Sequence, residues 1–80
     1  MAKTITYYTW YIDGEGGEGL CFTKDFKPAP YKKVLFTCNQ IHELADWLVA
    51  NDEEWNNKGR DNAMNYVIHL YSQLNQIIDF

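Results

Sequence analysis

Two apolar stripes with the period of an α-helix occupy the C-terminal half of the chain, and they constrain its fold more than any other feature. The second stripe recurs at intervals of three and four residues and comprises Met64, Val67, Ile68, Tyr71, Leu74 and Ile78. The first stripe is shorter and comprises Ile41, Leu44, Ala45 and Leu48. The spacing predicts helices over residues 37–51 and 60–78, each of which needs another layer to bury its stripe.

Polar residues mark the expected ends of these helices. Thr37 and Gln40 have the spacing of a capping box, and Asp61 or Asn62 can supply an N-cap oxygen after the break at Gly59. Residues 52–58 are largely polar and suit a turn between antiparallel helices. We expect the helices to bury six side chains against a sheet: Leu44, Leu48, Val67, Ile68, Tyr71 and Leu74.

The N-terminal half is rich in the β-branched and aromatic residues that are typical of strands. Residues 4–12, 20–23 and 32–36 predict three strands, and Val34 and Phe36 are expected to share a face of the third. Residues 24–31 contain both prolines and predict a connection. The order β-β-β-α-α predicts one α+β domain over residues 1–80. Its antiparallel sheet would have three or four strands, with two antiparallel helices packed on one face.

Both faces of the first strand carry aromatic residues, so alternation alone does not identify the inward face. Trp10 is the largest apolar group, which favours Tyr8, Trp10 and Ile12 as inward-facing. Ile5, Tyr7, Thr9 and Tyr11 would then lie on the uncovered face, where tyrosines are unusual unless a partner binds them. We therefore expect a partner-binding site at three of these residues: Tyr7, Tyr11 and Thr9.

The glycine-rich segment at residues 13–19 matches the spacing of a dinucleotide-binding loop at Gly14, Gly16 and Gly19. That motif needs a following helix, whereas the residues that follow here predict a strand. Glu15 and Glu18 would also repel a phosphate, and the spacing of the acids is not that of a calcium loop. The segment therefore predicts a mobile hairpin loop that binds no nucleotide.

No arrangement of residues predicts a catalytic or metal site. Cys21, Cys38, His42 and His69 could form a Cys₂His₂ set, but their spacing matches no zinc pattern. Cys38 near a helix N-terminus could have a lowered pKa, yet no third group would orient a Cys–His pair. We expect no enzymatic activity and no cofactor. We also expect Cys21 and Cys38 to be reduced thiols, with a disulfide as the alternative.

The charge balance bears on possible partners. Eleven acidic residues against seven basic ones give a net charge of −4, which disfavours direct binding of nucleic acid. No apolar run approaches the roughly 18 residues of a membrane span, and the N-terminus lacks an apolar signal region. These observations favour a protein of the cytoplasm of the cell that makes it. The tyrosines expected on the uncovered sheet face favour binding to another protein, as a monomer or homodimer.

Three segments resemble a known family. They are Lys3-Thr4-Ile5-Thr6-Tyr7, Leu44-Ala45-Asp46-Trp47-Leu48 and Gly59-Arg60-Asp61-Asn62-Ala63-Met64-Asn65. Together they resemble the small phage-encoded anti-CRISPR proteins of type I-F, although residues 12–33 do not align with that family. The resemblance implies an antiparallel sheet with two helices on one face.

The resemblance also implies a function. Members of that family bind the backbone subunits of an RNA-guided surveillance complex and prevent target DNA from pairing with the guide. Tyrosines on the open sheet face make that contact, and Tyr7 is the one that the motif carries over to this chain. The expected function is therefore a non-enzymatic, protein-binding inhibitor. The alternative is a small phage or mobile-element adaptor or structural protein, possibly homo-oligomeric, with a different protein partner.

Overall fold

The chain folds into a three-stranded antiparallel sheet followed by helices, which confirms the predicted α+β class. The computed structural model describes the backbone of residues 4–78 and the side chains of residues 4–74. The strands are β1 (Ile5–Ile12), β2 (Glu15–Phe22) and β3 (Lys32–Cys38), and the helices are α1 (Ile41–Asn51), α2 (Glu53–Lys58) and α3 (Arg60–Ile78). A short 3₁₀ turn at Thr23–Asp25 follows β2. Strand β1 lies in the centre of the sheet, in the order β2-β1-β3.

The turn between β1 and β2 contains only Asp13 and Gly14. Their φ angles are 52° and 84°, and positive values at both central residues are characteristic of a type I′ hairpin turn. This turn places Ile12 opposite Glu15 and Tyr8 opposite Gly19. The prediction of a loop across residues 13–19 was therefore wrong beyond Gly14, because the remaining glycines belong to β2.

A bulge separates the two halves of the ladder between β1 and β3. Tyr7 pairs with Phe36 and Tyr8 pairs with Val34, so Leu35 is an extra residue in β3. Val34 and Phe36 consequently lie on opposite faces of the sheet, and the prediction that they share a face was wrong.

The assignment of the faces of β1 from the size of Trp10 was also wrong. Ile5 and Tyr7 are only 4% and 2% exposed. The Tyr7 ring packs edge-on against Trp47 of α1, with 6.1 Å between ring centroids. Tyr7, Thr9 and Tyr11 therefore lie on the face that the helices cover.

Strand β2 explains why this face is the covered one. Leu20 lies opposite Tyr7, and both are buried, whereas Gly17 and Gly19 lie opposite Trp10 and Tyr8. Glycines offer a helix no side chain to pack against, so the apolar layer forms on the side of Leu20.

Helix α1 begins later than predicted. Thr37 and Cys38 continue β3, and α1 starts at Ile41 after the N-cap residue Gln40. The carboxylate of Glu43 accepts hydrogen bonds of 3.0 Å from the backbone N–H groups of Asn39 and Gln40. The predicted capping box of Thr37 and Gln40 was therefore wrong. The capping box is formed by Gln40 as the N-cap residue and Glu43 three residues later.

The expected turn at residues 52–58 contains the short helix α2. The Asp52 carboxylate caps it by accepting from the backbone N–H groups of Glu54 and Trp55. Helix α3 then starts at Arg60, so Asp61 and Asn62 lie inside its first turn and not at the N-cap. Arg60 also ties α3 to α1, because its Nε lies 2.5 Å from a carboxylate oxygen of Asp46.

The core lies between the helices and the covered face of the sheet. Of the six side chains predicted to be buried, Leu44, Leu48, Val67 and Leu74 are buried and Tyr71 is half-buried. Ile68 is 45% exposed, so that prediction was wrong. Ala63 and Leu70 are buried instead, so the inward face of α3 is turned away from Ile68. The side chain of Ile78 lies outside the described residues.

In the part of the chain that the structure describes, no helix combines the length and the apolar character needed to cross a membrane.

Candidate functional site

The face of the sheet opposite the helices carries a group of apolar side chains, which we call the open-face patch. It consists of Tyr8, Trp10, Ile12, Phe26 and Val34. Ile12 and Val34 are each 43% exposed, and the other three are half-buried. Because the helices pack on the other side, this patch is the apolar surface that the fold leaves accessible on the sheet.

Glycines in β2 allow the two aromatic rings of β1 to lie close to the sheet. A Cβ atom at Gly17 would lie 2.7 Å from the indole of Trp10, and a Cβ at Gly19 would lie 3.0 Å from the Tyr8 hydroxyl. Both distances are shorter than ordinary van der Waals contact, so these rings occupy the space that β2 side chains would need. The glycine-rich composition of β2 thus serves the placement of Trp10 and Tyr8.

Lys32 and Phe26 fix the surroundings of Tyr8. Lys32 Nζ lies 5.5 Å from the centroid of the Tyr8 ring and 5.8 Å from that of Tyr31. Phe26 packs edge-on against Tyr8, with 5.8 Å between centroids. Among the described aromatic and cationic side chains, none packs on the Trp10 indole in this way.

The connection after β2 covers the other end of this face. The hydroxyls of Thr6 and Thr23 are 2.8 Å apart, and Thr6 is 1% exposed. A hollow of about 240 Å³ beside them is lined by Thr4, Phe22, Thr23 and Lys24. Its lining includes a single ionisable side chain, Lys24, and so offers no acid–base pair. The accessible part of the open face is therefore the part near the hairpin turn.

The three predicted binding residues share one face of β1 but differ widely in their exposure to solvent. Tyr7 is 2% exposed and Thr9 is half-buried, whereas Tyr11 is 65% exposed. Tyr11 shares the helix-facing side of β1 but is not buried by the helices. Tyr7 therefore lacks the solvent accessibility that suggested a binding role, whereas Tyr11 has it. Tyr8, Trp10 and Ile12, which were predicted to face the core, are the residues of β1 that lie in the accessible open-face patch.

Tyr7 belongs to a polar cluster between sheet and helices. The Tyr66 hydroxyl on α3 donates a hydrogen bond to the Glu18 carboxylate on β2, and the Tyr7 hydroxyl interacts with both groups. Burial, followed by the neighbouring Tyr66 and Glu18, raises the pKa of Tyr7. Burial also raises the pKa of Tyr66, with further contributions from Glu18. Both hydroxyls are therefore held in the neutral form, and the cluster joins α3 to the sheet.

The cysteines and histidines do not come together. Cys21 and Cys38 are free thiols on the outer strands β2 and β3. Burial raises the pKa of both thiols, so Cys38 is not activated by the nearby helix start. His42 and His69 are exposed. Within the described residues, no group of three or more His, Cys, Asp or Glu side chains could hold a metal ion.

The negative charge is unevenly distributed. Residues 41–78, which form the helical layer, carry six acidic and two basic side chains. Residues 4–40, which form the sheet and its connections, carry four of each. The open-face patch therefore lies on the electrically balanced half of the protein.

Comparison of the chain with protein-family models, curated proteins and solved structures finds no match in any of the three. The candidate site rests on the geometry described above.

Proposed function

We propose that this protein is a non-enzymatic inhibitor that acts by binding another protein through the open-face patch. The observation that carries the proposal is the accessible pair of Tyr8 and Trp10 on the central strand. Their rings are packed against glycines, so the strand holds them in place before a partner arrives. Tyrosine and tryptophan are enriched at the energetic centres of protein interfaces, because they bury a large area at a small cost in conformational entropy.

The resemblance to type I-F anti-CRISPR proteins supports a specific partner. It suggests the backbone subunits of a type I surveillance complex in the cytoplasm of the host cell. The sheet with helices on one face agrees with the architecture that the resemblance implies. The contact would run through Tyr8 and Trp10, since Tyr7 is buried.

The net charge of −4 also supports a partner with a basic surface. A complementary charge raises the association rate more than it lowers the dissociation rate. Because the excess acidic residues lie in the helical layer, they act at a distance during the encounter, whereas the open-face patch forms the contact.

The test is to measure binding of the purified protein to a purified type I-F surveillance complex, and competition with its target DNA. Trp10→Ala should weaken binding by on the order of 2 kcal/mol while the far-UV circular dichroism stays unchanged, because Trp10 is half-buried on the open face and does not belong to the core between sheet and helices. Ile68→Ala is the matched control, since Ile68 is also an accessible apolar residue but lies on α3.

The results distinguish an error in the proposed partner from an error in the proposed contact surface. Equal binding by Trp10→Ala and the parent protein would show that the contact surface is elsewhere. No binding by the parent would reject the surveillance complex as partner. Affinity capture with the parent and Trp10→Ala side by side would then identify proteins whose recovery depends on the open-face patch.

A further inference from the structure

We infer that the open-face patch binds an arginine side chain of its protein partner, with the guanidinium group lying on Trp10 and paired with the carboxylate of Glu15. This inference rests on the proposed function, because it specifies the chemistry of the partner at the same surface.

The first observation is that Trp10, a half-buried residue of the open face, has no described cation or second ring on its indole. One side of the ring lies against the backbone of Gly17, where a Cβ atom would approach three of its atoms within 3.0 Å. Among the described residues, no cation and no other ring packs on the indole. A tryptophan face is the best aromatic surface for a cation within about 6 Å of its centroid.

The second observation is the position of Glu15. Glu15 lies opposite Ile12 and Gly17 lies opposite Trp10, so Glu15 and Trp10 are diagonal neighbours on the same face. Such neighbours are separated by about 7–8 Å, which long side chains bridge. The Glu15 side chain is exposed and makes no hydrogen bond or ion pair with the described residues, so its carboxylate is available to a partner.

Together these residues suit arginine better than lysine. A guanidinium group is planar, so it can stack on an indole and still direct two N–H groups at a carboxylate in its own plane. An ammonium group is more strongly hydrated and lacks this planar fork. The space above Gly17 is filled by the indole itself, so a guanidinium group would stack on the side of the ring that faces away from β2.

Other charges around Trp10 do not prevent this contact. Lys32 pairs with Trp10 across the ladder, but its Nζ is engaged by the rings of Tyr8 and Tyr31. Asp13, two residues before Glu15 in the adjoining turn, is a second exposed acidic residue near Trp10 in the hairpin. The local balance near the turn is therefore acidic, which favours a cation.

The experiment titrates three blocked tripeptides into the protein: Gly-Arg-Gly, Gly-Lys-Gly and the neutral counterpart with citrulline in the central position. Binding is followed by the NMR shifts of the Trp10 indole N–H and of the backbone amides of Glu15 and Gly17. We expect the arginine peptide to shift these signals at the lowest concentration and the citrulline peptide to bind at least about threefold more weakly. Glu15→Gln should weaken arginine binding by a similar factor, whereas Glu53→Gln, an exposed acid on α2, should not.

Equal binding of the citrulline and arginine peptides would overturn the inference, as would shifts confined to the acidic helical layer or an unchanged affinity in Glu15→Gln. Trp10→Leu, which keeps an apolar side chain, should abolish the preference for arginine over lysine. A preference preserved in Trp10→Leu would also contradict the inference.

If the surveillance complex binds in a Trp10-dependent way but the arginine peptide does not bind, only this inference fails. If the arginine peptide binds as expected and the complex does not, the proposed partner fails and the arginine site stands.

Discussion

At the scale of single residues, the best-buried side chains mark where α1, α3 and the sheet meet. Leu44 and Val67 are 0% exposed and Leu48 is 1% exposed. Truncating a side chain in such a position loses its transfer free energy and leaves a cavity. These positions therefore control the stability of a small domain whose total stability is modest.

Leu48→Ala should lower the free energy of unfolding by about 2–5 kcal/mol, because the cavity lies in the packed core. Ile68→Ala should change it by less than about 1 kcal/mol, since Ile68 is 45% exposed on the same helical layer. Urea unfolding followed by circular dichroism measures both. Equal losses would mean that α3 presents Ile68 to the core after all.

The buried hydroxyl of Tyr7 makes stability depend on alkaline pH. Its pKa in the folded protein is raised above the ordinary value of 10.0, chiefly by burial and then by Tyr66 and Glu18. The unfolded chain therefore releases its proton first, so the contribution is intact below about pH 10 and is lost as the pH rises above it. Burial also raises the pKa of the Cys21 and Cys38 thiols above their ordinary value of 9.0, so both cysteines lower the stability at alkaline pH in the same way.

We accordingly expect the free energy of unfolding to fall from about pH 9 through the cysteines and more steeply above about pH 10, where Tyr7→Phe should show a shallower fall than the parent protein. The comparison isolates Tyr7 because the cysteines are present in both. Tyr31→Phe is the control, as Tyr31 is an exposed tyrosine, and it should keep the parental slope. Denaturant titrations at several pH values provide the measurement, and identical slopes for Tyr7→Phe and the parent would contradict the assignment.

At the scale of elements, the hairpin of β1 and β2 positions the open-face patch. Gly17→Ala should push the Trp10 indole off the sheet, because the new Cβ would lie 2.7 Å from the ring. A side chain can rotate away, so we expect a stability loss of about 1 kcal/mol and a larger loss of partner binding. The Trp10 indole N–H signal in NMR reports the displacement directly.

Gly14→Ala is the control for this prediction. Gly14→Ala should destabilise the turn through its φ of 84° without touching Trp10, since nothing lies within 4 Å of a Cβ there. An unchanged Trp10 signal in Gly17→Ala would show that the glycine does not hold the ring in position.

The elements also show how much of the fold the sequence predicts. The apolar period predicted both ends of α3 at Arg60 and Ile78, because a long amphipathic stripe has few alternative readings. The hairpin was misjudged because Asp13 and Gly14 alone suffice for a type I′ turn, a dipeptide signal that was available in the sequence. The bulge at Leu35 depends on pairing with β1, and no local pattern in β3 reveals it.

The candidate site was harder to predict for a physical reason. Aromatic residues occupy both faces of β1, so their size does not distinguish Tyr7 from Trp10. The distinction comes from β2, where Leu20 and Phe22 lie on one face and Gly17 and Gly19 lie on the other. Distinguishing the two faces requires the pairing register of β1 and β2. The prediction of a loop over residues 13–19 gave no such register, because it left residues 15–19 out of β2.

At the scale of the whole molecule, the separation of charge from the contact surface predicts a kinetic signature. Replacing Glu53 and Asp61 with Gln and Asn on the helical layer should slow association with a basic partner about twofold or more at low salt. The dissociation rate should stay nearly constant, because these residues lie away from the contact. Surface plasmon resonance at two ionic strengths measures both rates. A large change in dissociation would place the helical layer in the interface.

Strand β1 contributes to the core and to the open face at once, and this has a consequence for genetic screens. A scan of all substitutions from Ile5 to Trp10 should show a two-residue alternation after Thr6, which is itself only 1% exposed. Changes at Ile5 and Tyr7 should reduce the amount of protein recovered from cells, whereas changes at Tyr8 and Trp10 should leave the amount intact and reduce inhibition. Reading abundance and inhibition side by side would thus separate variants that cannot fold from variants that fold but cannot bind, within a single strand.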